Sequence, residues 1–459
     1  MTLELSRSLK PRHITMISLG GIIGAGLFVG SSAAIHAAGP GILLSYLITG
    51  GLLLLVMRML GEMAMALPHI RSFTEFSRAG LGHWAGFVAG WLYWYFWIVT
   101  VAVEAIAGAN ILASWLPGLP TWALGLVLMA VMTAVNLLSA RSYGEAEFWF
   151  ASIKVAAIVV FIALGAAYAL GFTQGAGFGL SNLVSHGGFM PHGGLAVLAG
   201  AVTVYFFLTG AEITTVAAVE SQEPARAIAQ MTTSVILRVL TFYVGATLVI
   251  LAVVPWDRVH VGESPFTLAL GAMGFNWASW VMSAIILTAV LSCLNSAFYV
   301  SSRVLFVLAE HGDAPTWLVQ LNARRVPSRS VWMGCAAGVL GVLAATVSPA
   351  YVFAFLVNAS GAVIVFVYIL TALAQIRLRR AREQAGSPVP ALTMWLFPWL
   401  SYFAVVGMFG VLLAMALTKD LEKALQASLI ALAVATGAYF VVRAVRASPA
   451  AAGGTEVAK

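Results

Sequence analysis

Three ionisable side chains stand inside long apolar runs of this 459-residue chain, and each could hold or pass a proton. Lys154 lies in "FWFASIKVAAIVVFIALG", Glu104 in "TVAVEAIAG", and Glu212 just after Gly210 in "AVTVYFFLTGAEITTVAAVES". A charge in such a run costs several kcal/mol, so each needs a partner or a use. Lys154 lies about seven residues into its run, roughly 10 Å at 1.5 Å per residue. Its ammonium therefore either snorkels to the nearer interface or stays inside and binds backbone carbonyls. Glu212 either caps N–H groups freed by a helix break or acts as a gate or proton-linked switch. Glu104 is expected to face the interior of a helix bundle. Arg58 and Glu62, one helical turn apart, read as a structural pair. Trp91, Tyr93, Trp94, Tyr95 and Trp97 read mostly as packing or interface anchors, with room for one to face a cavity.

The elements holding these groups follow from composition. The chain is 61% hydrophobic and only 9% charged, against about a quarter charged in a soluble domain. That excludes a soluble globular protein. The N-terminal "MTLELSRSLKPRH" is polar and the first apolar run is span-length, so no cleavable signal is expected. Cys293 and Cys335 both lie in apolar segments, which argues against a disulfide framework. None of the eight histidines pairs with another metal ligand inside a span. No nucleophile–base set occurs either, so no enzyme activity, catalytic residue, metal or cofactor is expected.

Apolar stretches of about 20 residues or more recur near 14–36, 41–67, 84–113, 121–138, 147–171, 192–219, 234–255, 277–309, 331–347, 352–378, 395–416 and 424–444. These twelve stretches predict twelve transmembrane helices. Of the 24 Lys and Arg residues, 17 fall on one side of that topology and three, Arg258, Lys419 and Lys423, on the other. The rest (Arg58, Lys154, Arg238 and Arg303) fall within the spans. The asymmetry predicts cytoplasmic termini. It also explains the net charge of +7 without any nucleic-acid partner.

Two spans are poor continuous helices. The first reads "ITMISLGGIIGAGLFVGSS" and the sixth carries Gly210. Close helix packing through Gly20/Gly24 or Gly26/Gly30 is the bland explanation. The alternative is a pair of helices unwound at mid-membrane. They lie five spans apart, so they would occupy corresponding positions in two inverted halves, a pointer to a transporter binding site. Unwinding frees N–H groups that bind a carboxylate and carbonyls that bind an ammonium. Together these suit an amino acid. "GAGLFVG" is no phosphate loop, because its spacing is wrong and no strand precedes it.

The segments "GGIIGAGLFVGSS", "RMLGEMAMALP", "GWLYWYFW", "NLLSARSYGEAEFWFASIK", "GAEITTVAAVES", "SCLNSAFYVSSRVLFVLAEHGDAP" and "MWLFPWL" together resemble the bacterial amino acid permeases of the amino acid–polyamine–organocation superfamily. The GABA permease group is the nearest. The resemblance implies an all-α LeuT-like 5+5 inverted repeat with helices 1 and 6 broken. Its parts would be a cytoplasmic N-terminus (1–13), a first repeat (14–171), a second repeat (172–378), two further helices (379–444) and a cytoplasmic tail (445–459). By motif, it implies that the amides around Gly24, Ala25 and Gly26 meet the substrate carboxylate. Carbonyls of Ile23, Phe206 and Thr209, beside Gly210, would meet its ammonium. Lys154 would lie where sodium-coupled relatives bind a cation, between carbonyls near Gly20 and Gly21 and a hydroxyl of span 8, Ser292 first and Ser296 second. There it would carry the coupled proton, with Glu212 and Glu104 as further coupling or gating groups. Many relatives have a hydroxyl residue at Ala25 and read Gly-Ser-Phe where this chain has Arg71-Ser72-Phe73.

The implied protein is a proton symporter in a bacterial inner membrane. It would import GABA or a small neutral amino acid by alternating access, with protons and the lipid bilayer as its other partners. An exchanger of the same fold is the main alternative and a passive facilitator or channel a remote one. Oligomeric state is not legible in the sequence.

Overall fold

The computed structural model describes residues 16, 23–68, 70, 72–138, 140–169, 172, 180–210, 212–213, 238–390 and 392–447. Among them are helices and connecting turns, with no strand. A π-helical turn, Gly26–Gly30, runs directly into α1 (Ser31–Ala38). The turn Gly39-Pro40-Gly41 then reverses the chain into α2 (Ile42–Ala66). Gly39 ends α1 at φ +60°, a conformation glycine adopts without strain. Next come α3 (Phe73–Leu81), α4 (His83–Trp115), α5 (Thr121–Asn136), α6 (Ala140–Ala169) and α7 (Gly193–Leu208). A second π stretch, Arg238–Gly245, leads into α8 (Ala246–Val253), followed by α9 (Pro265–Ala272) and α10 (Asn276–Glu310). The last four are α11 (Ser328–Ala344), α12 (Pro349–Gln384), α13 (Trp399–Ala416) and α14 (Glu422–Ala447). Proline opens α9 and α12 at the position where its missing N–H costs nothing.

Seven helical stretches among the described residues are long and apolar enough to cross a membrane. The first, Gly26–Ala66, is divided by the turn at Gly39–Gly41. Four shorter apolar helices accompany them: Thr121–Asn136, Gly193–Leu208, Val239–Val253 and Ser328–Ala344. The chain is a multi-pass membrane protein.

The centre is built around α4, which packs against α10, α11, α12, α5 and α3. In its most apolar stretch 72% of α4 is buried, against 17% for the last helix, so α14 lies on the outside with Ile430, Val434 and Val441 exposed. Helices in lipid gain little from apolar contact alone and rely on close approach through small residues. Gly338 and Gly341 of α11 meet Val101 and Ala102 of α4 in this way. Gly80 of α3 lies against the backbone of Ala374 in α12.

The described part of the sixth span leaves helical geometry at its end. Helix α7 stops at Leu208, Thr209 is extended (φ −63°, ψ 143°), and Gly210 has φ +120°. The first span is non-helical at Ile23, bends at Gly24, and continues as the π turn. Residues 17–22 and 214–237, which would complete these two spans, lie outside the described residues. The close-packing reading also holds in part. A Cβ on Gly26 or Gly30 would fall 2.5 Å or 2.7 Å from the Phe207 ring.

A Cβ on Gly80 would lie 2.7 Å from Ala374 Cα, whereas one on Gly410 of α13 would meet nothing within 4 Å. Gly80→Val should therefore destabilise the protein by about 1–3 kcal/mol through overpacking. Gly410→Val should be close to neutral. Thermal unfolding of the two purified variants in detergent, side by side with wild type, checks the difference.

Candidate functional site

Lys154 is fully buried on α6. Its ammonium donates to the Ile23 carbonyl at 2.9 Å and to Ser292 Oγ of α10 at 2.7 Å. The snorkelling alternative does not hold. Of the two hydroxyls expected, Ser292 is the one Lys154 touches. Among the described residues the carbonyl it meets is that of Ile23, and Gly20 and Gly21, which were also expected near it, lie outside the described residues. The same carbonyl is one of those expected to meet a substrate ammonium. A cation of the protein itself already occupies this carbonyl.

Ser292 passes the contact on. Its hydroxyl donates to the Glu147 carboxylate at 2.6 and 2.8 Å, and Ser296 reaches the same carboxylate. Glu147 Oε1 lies 3.7 Å from Lys154 Nζ, both side chains fully buried. Coulomb attraction at that range is on the order of 4 kcal/mol at an effective dielectric near 20. Desolvation costs several kcal/mol per ion, so such a pair needs added hydrogen bonds to persist. Ile23, Ser292 and Ser296 supply them. Glu147 was not singled out from the sequence because it is the first residue of its apolar run and reads there as interfacial. Its spacing of seven from Lys154 places the two on one helical face, and that was the available signal.

Glu104 of α4 accepts the Ala25 N–H at 3.1 and 3.0 Å through its two carboxylate oxygens. This is one of the amides expected to take a substrate carboxylate, and a protein carboxylate holds it here. Cys293 of α10 closes the other side: a Cβ on Gly24 would fall 2.5 Å from both Cys293 Cβ and Glu104 Oε1. Gly24 thus lets α4 and α10 converge on the start of the π turn.

Beyond the end of α7 Glu212 is fully buried and accepts several bonds from nearby residues. Among them are those from Gly210 N–H at 3.0 Å, Tyr368 of α12 at 2.9 Å and Tyr93 of α4 at 3.3 Å. A continuous helix would have used the Gly210 N–H to bond the Phe206 carbonyl. Glu212 takes that N–H, which is the geometry of the capping alternative. Thr209 Oγ1 turns back to the Tyr205 carbonyl at 2.6 Å. Among the span-3 aromatics, Tyr93 is the one that reaches this cluster.

Two features flank the buried groups. A cavity of about 640 Å³ opens beyond Glu104, lined by Asn110, Ser114, Glu263, Thr267, Ser279 and Ser283 among others. Ala107, three residues from Glu104 along α4, also lines it. The other end of α4 is tied shut. Arg78 and His83 both bond the buried carboxylate of Asp313, His83 at 2.8 Å, and Trp91 Nε1 donates to the Asp313 carbonyl at 3.1 Å. Asp313 also escaped the sequence reading. Arg58 and Glu62 are not partners: Glu62 accepts from Gln375, Arg379 and the Met394 N–H, while Arg58 donates to the Thr393 carbonyl and lies over Trp395. Spacing alone could not foresee that α12 brings a nearer cation. Among the described residues no group of three or more His, Cys, Asp or Glu is placed to hold a metal.

Fold and site together define a multi-pass helical membrane protein with ionisable side chains buried inside its helix bundle. Residues 13–449 match the amino acid permease family, and the chain belongs to that family. It is 41% identical over 449 residues to the gamma-aminobutyric acid permease of Bacillus subtilis, covering 98% of this chain and 96% of the relative. It is 42% identical over 422 residues to the gamma-aminobutyric acid permease of Escherichia coli K12, covering 92% and 90%. It is 39% identical over 416 residues to the aromatic amino acid transport protein AroP of Corynebacterium glutamicum, covering 90% and 89%. The family expected from the motifs is thus the family found.

Removing one donor from a buried carboxylate costs about 1.5–3 kcal/mol when the bond is short. Tyr368→Phe should therefore disturb the Glu212 cap more than Tyr93→Phe, whose bond is longer. Initial uptake rates at matched membrane levels should fall further in Tyr368→Phe. The opposite order would show that Tyr93 is the controlling donor.

Proposed function

We propose that this chain imports an amino acid, GABA or a small neutral one, by proton symport through alternating access. The observation that carries the reading is the buried Lys154 ammonium bonded to Ile23 and Ser292. It ties α6, the start of the first span and α10 with one removable charge. While protonated, Lys154 holds the inner half of the first span against the bundle. Losing the proton removes that tie and lets the inner gate open, and reprotonation resets the carrier. The chain crosses the membrane twelve times, with 14–171 and 172–378 as inverted repeats and helices 1 and 6 broken. The bacterial inner membrane, with both termini cytoplasmic, is the location the charge asymmetry favours.

The substrate binds between the two breaks. The amides of Gly24 and Gly26 take its carboxylate, with Ala25 available when Glu104 releases it. The Phe206 and Thr209 carbonyls beside Gly210 take its ammonium. The cavity beyond Glu104 serves as the outer approach, and the bonds around Asp313 serve as the inner barrier. Glu212 acts on gating, because it caps the break itself. Relatives named for GABA favour that substrate, and one named for aromatic amino acids makes the choice worth testing directly.

The test is a competition panel of amino acids in proteoliposomes under an imposed pH gradient. GABA or a small neutral amino acid should compete best, and accumulation should collapse with the gradient. Uptake that requires internal substrate would identify an exchanger, and gradient-independent equilibration a facilitator. Lys154→Met should lose pH-driven accumulation by about tenfold or more, the scale of a lost proton-transfer group, while equilibrium binding falls much less. Wild-type accumulation by that variant would overturn the coupling role.

A further inference from the structure

We infer that Glu147 is the proton acceptor of Lys154 on the cytoplasmic side, reached through the Ser292 hydroxyl, an inference that rests on the proton-symport reading above. The three groups form an unbroken hydrogen-bonded line. Lys154 donates to Ser292 at 2.7 Å, and Ser292 donates to Glu147 at 2.6 Å. All three residues are fully buried, so no bulk water competes for the proton along that line. Glu147 precedes Lys154 by seven residues of α6, about 10 Å along the helix axis, toward the Ala140 end. The distribution of Lys and Arg assigns that end to the cytoplasm.

The transfer balances with no further reactant. One Nζ–H bond of Lys154 breaks as its proton passes to Ser292 Oγ. The proton already on Ser292 passes to a Glu147 carboxylate oxygen. A charged pair becomes a neutral amine and a neutral carboxylic acid, and the serine hydroxyl is restored. Glu147 then gives its proton to the cytoplasm. The intermediate carries no net charge, so the proton leaves the lysine without exposing a lone ion in the membrane interior, where one is costly.

The other groups facing Lys154 leave Glu147 as the acceptor. From α4 comes Glu104, whose two oxygens are engaged by Ala25 N–H and which bonds Cys293. From α10 come Ser292, Ser296 and Cys293, and from the first span the Ile23 carbonyl, which has no proton to exchange. Glu104 acts on Lys154 through space, with no bridging hydroxyl between them among the described contacts. Ser292 is the bridge, and it leads to Glu147.

The test compares Glu147→Gln, Glu147→Asp and Ser292→Ala in proteoliposomes, measuring pH-driven accumulation of GABA and equilibrium counterflow, which needs no net proton movement. Glutamine still accepts from Ser292 but cannot take the proton. Glu147→Gln should cut accumulation by about tenfold or more with a much smaller loss of counterflow. Glu147→Asp should recover part of the accumulation with a displaced pH profile. Should Glu147→Gln fail to insert, Ser292→Ala carries the same split, because it removes the bridge while Ile23 still binds Lys154 and Ser296 still reaches Glu147. Accumulation at the wild-type level in either Glu147→Gln or Ser292→Ala overturns the inference. Equal loss of accumulation and counterflow in both overturns it too, assigning the pair a structural role. If Lys154→Met loses accumulation while Glu147→Gln keeps it, the relay fails and the symport reading stands. If both variants keep it, the symport reading fails with it.

Discussion

A single buried ammonium holds three parts of this molecule in register. Lys154 reaches from α6 to the non-helical start of the first span at Ile23 and to Ser292 of α10. An unpaired cation at that depth would cost several kcal/mol, so the surrounding elements must supply oxygen atoms or the lysine could not be there. That requirement explains why Ile23 lies outside regular helix, since a carbonyl bonded within a helix is a poorer acceptor. It also explains why hydroxyl residues interrupt the apolar face of α10. Gly24 and Cys293 then set how closely α4 and α10 approach the same point.

Ala25 and Gly210 face one problem and meet it in one way. Each presents a backbone N–H inside the bundle, where an unmet donor costs about 1–3 kcal/mol. Each is met by a glutamate: Ala25 N–H by Glu104, Gly210 N–H by Glu212. The carbonyl side is treated unequally. Ile23 has the Lys154 ammonium, whereas the Phe206 carbonyl has given up the Gly210 N–H that a helix would have offered it.

The helices were legible because apolar runs bounded by glycine, proline and arginine have few other solutions in lipid. The Lys154–Ser292 contact was legible through the family motifs, and the cap on Gly210 through the spacing of Glu212. What escaped notice were groups whose setting is made by distant segments. Glu147, at the edge of its apolar run, has its setting made by Ser292 and Ser296 of α10. Asp313, just beyond the end of α10, is enclosed by Arg78 and His83 of another hairpin. Arg58 and Glu62 looked paired because helical spacing was the only geometry in view, and tertiary partners on α12 and at Thr393 replaced each other's charge.

The polar contacts at the two ends of α4 differ from those at its centre in how they can be broken. Arg78 and His83 are a quarter to a third exposed, so water can replace them once that end opens, although the buried Asp313 carboxylate must be rehydrated in the exchange. Across the cavity end, Gly262 N–H donates to Ser32 Oγ at 3.1 Å, again a single bond near solvent. Lys154 and Glu147 have no such exchange, because both are fully buried. Separating them as ions would leave two unsolvated charges, each costing several kcal/mol. Under the transport reading, then, the outer and inner contacts set how fast either end opens, and the buried pair sets whether it can. Parting α6 from the first span leaves that pair together on α6 and breaks the Lys154 bond to the Ile23 carbonyl, and under the same reading the loss of the Lys154 charge lowers the cost of that break.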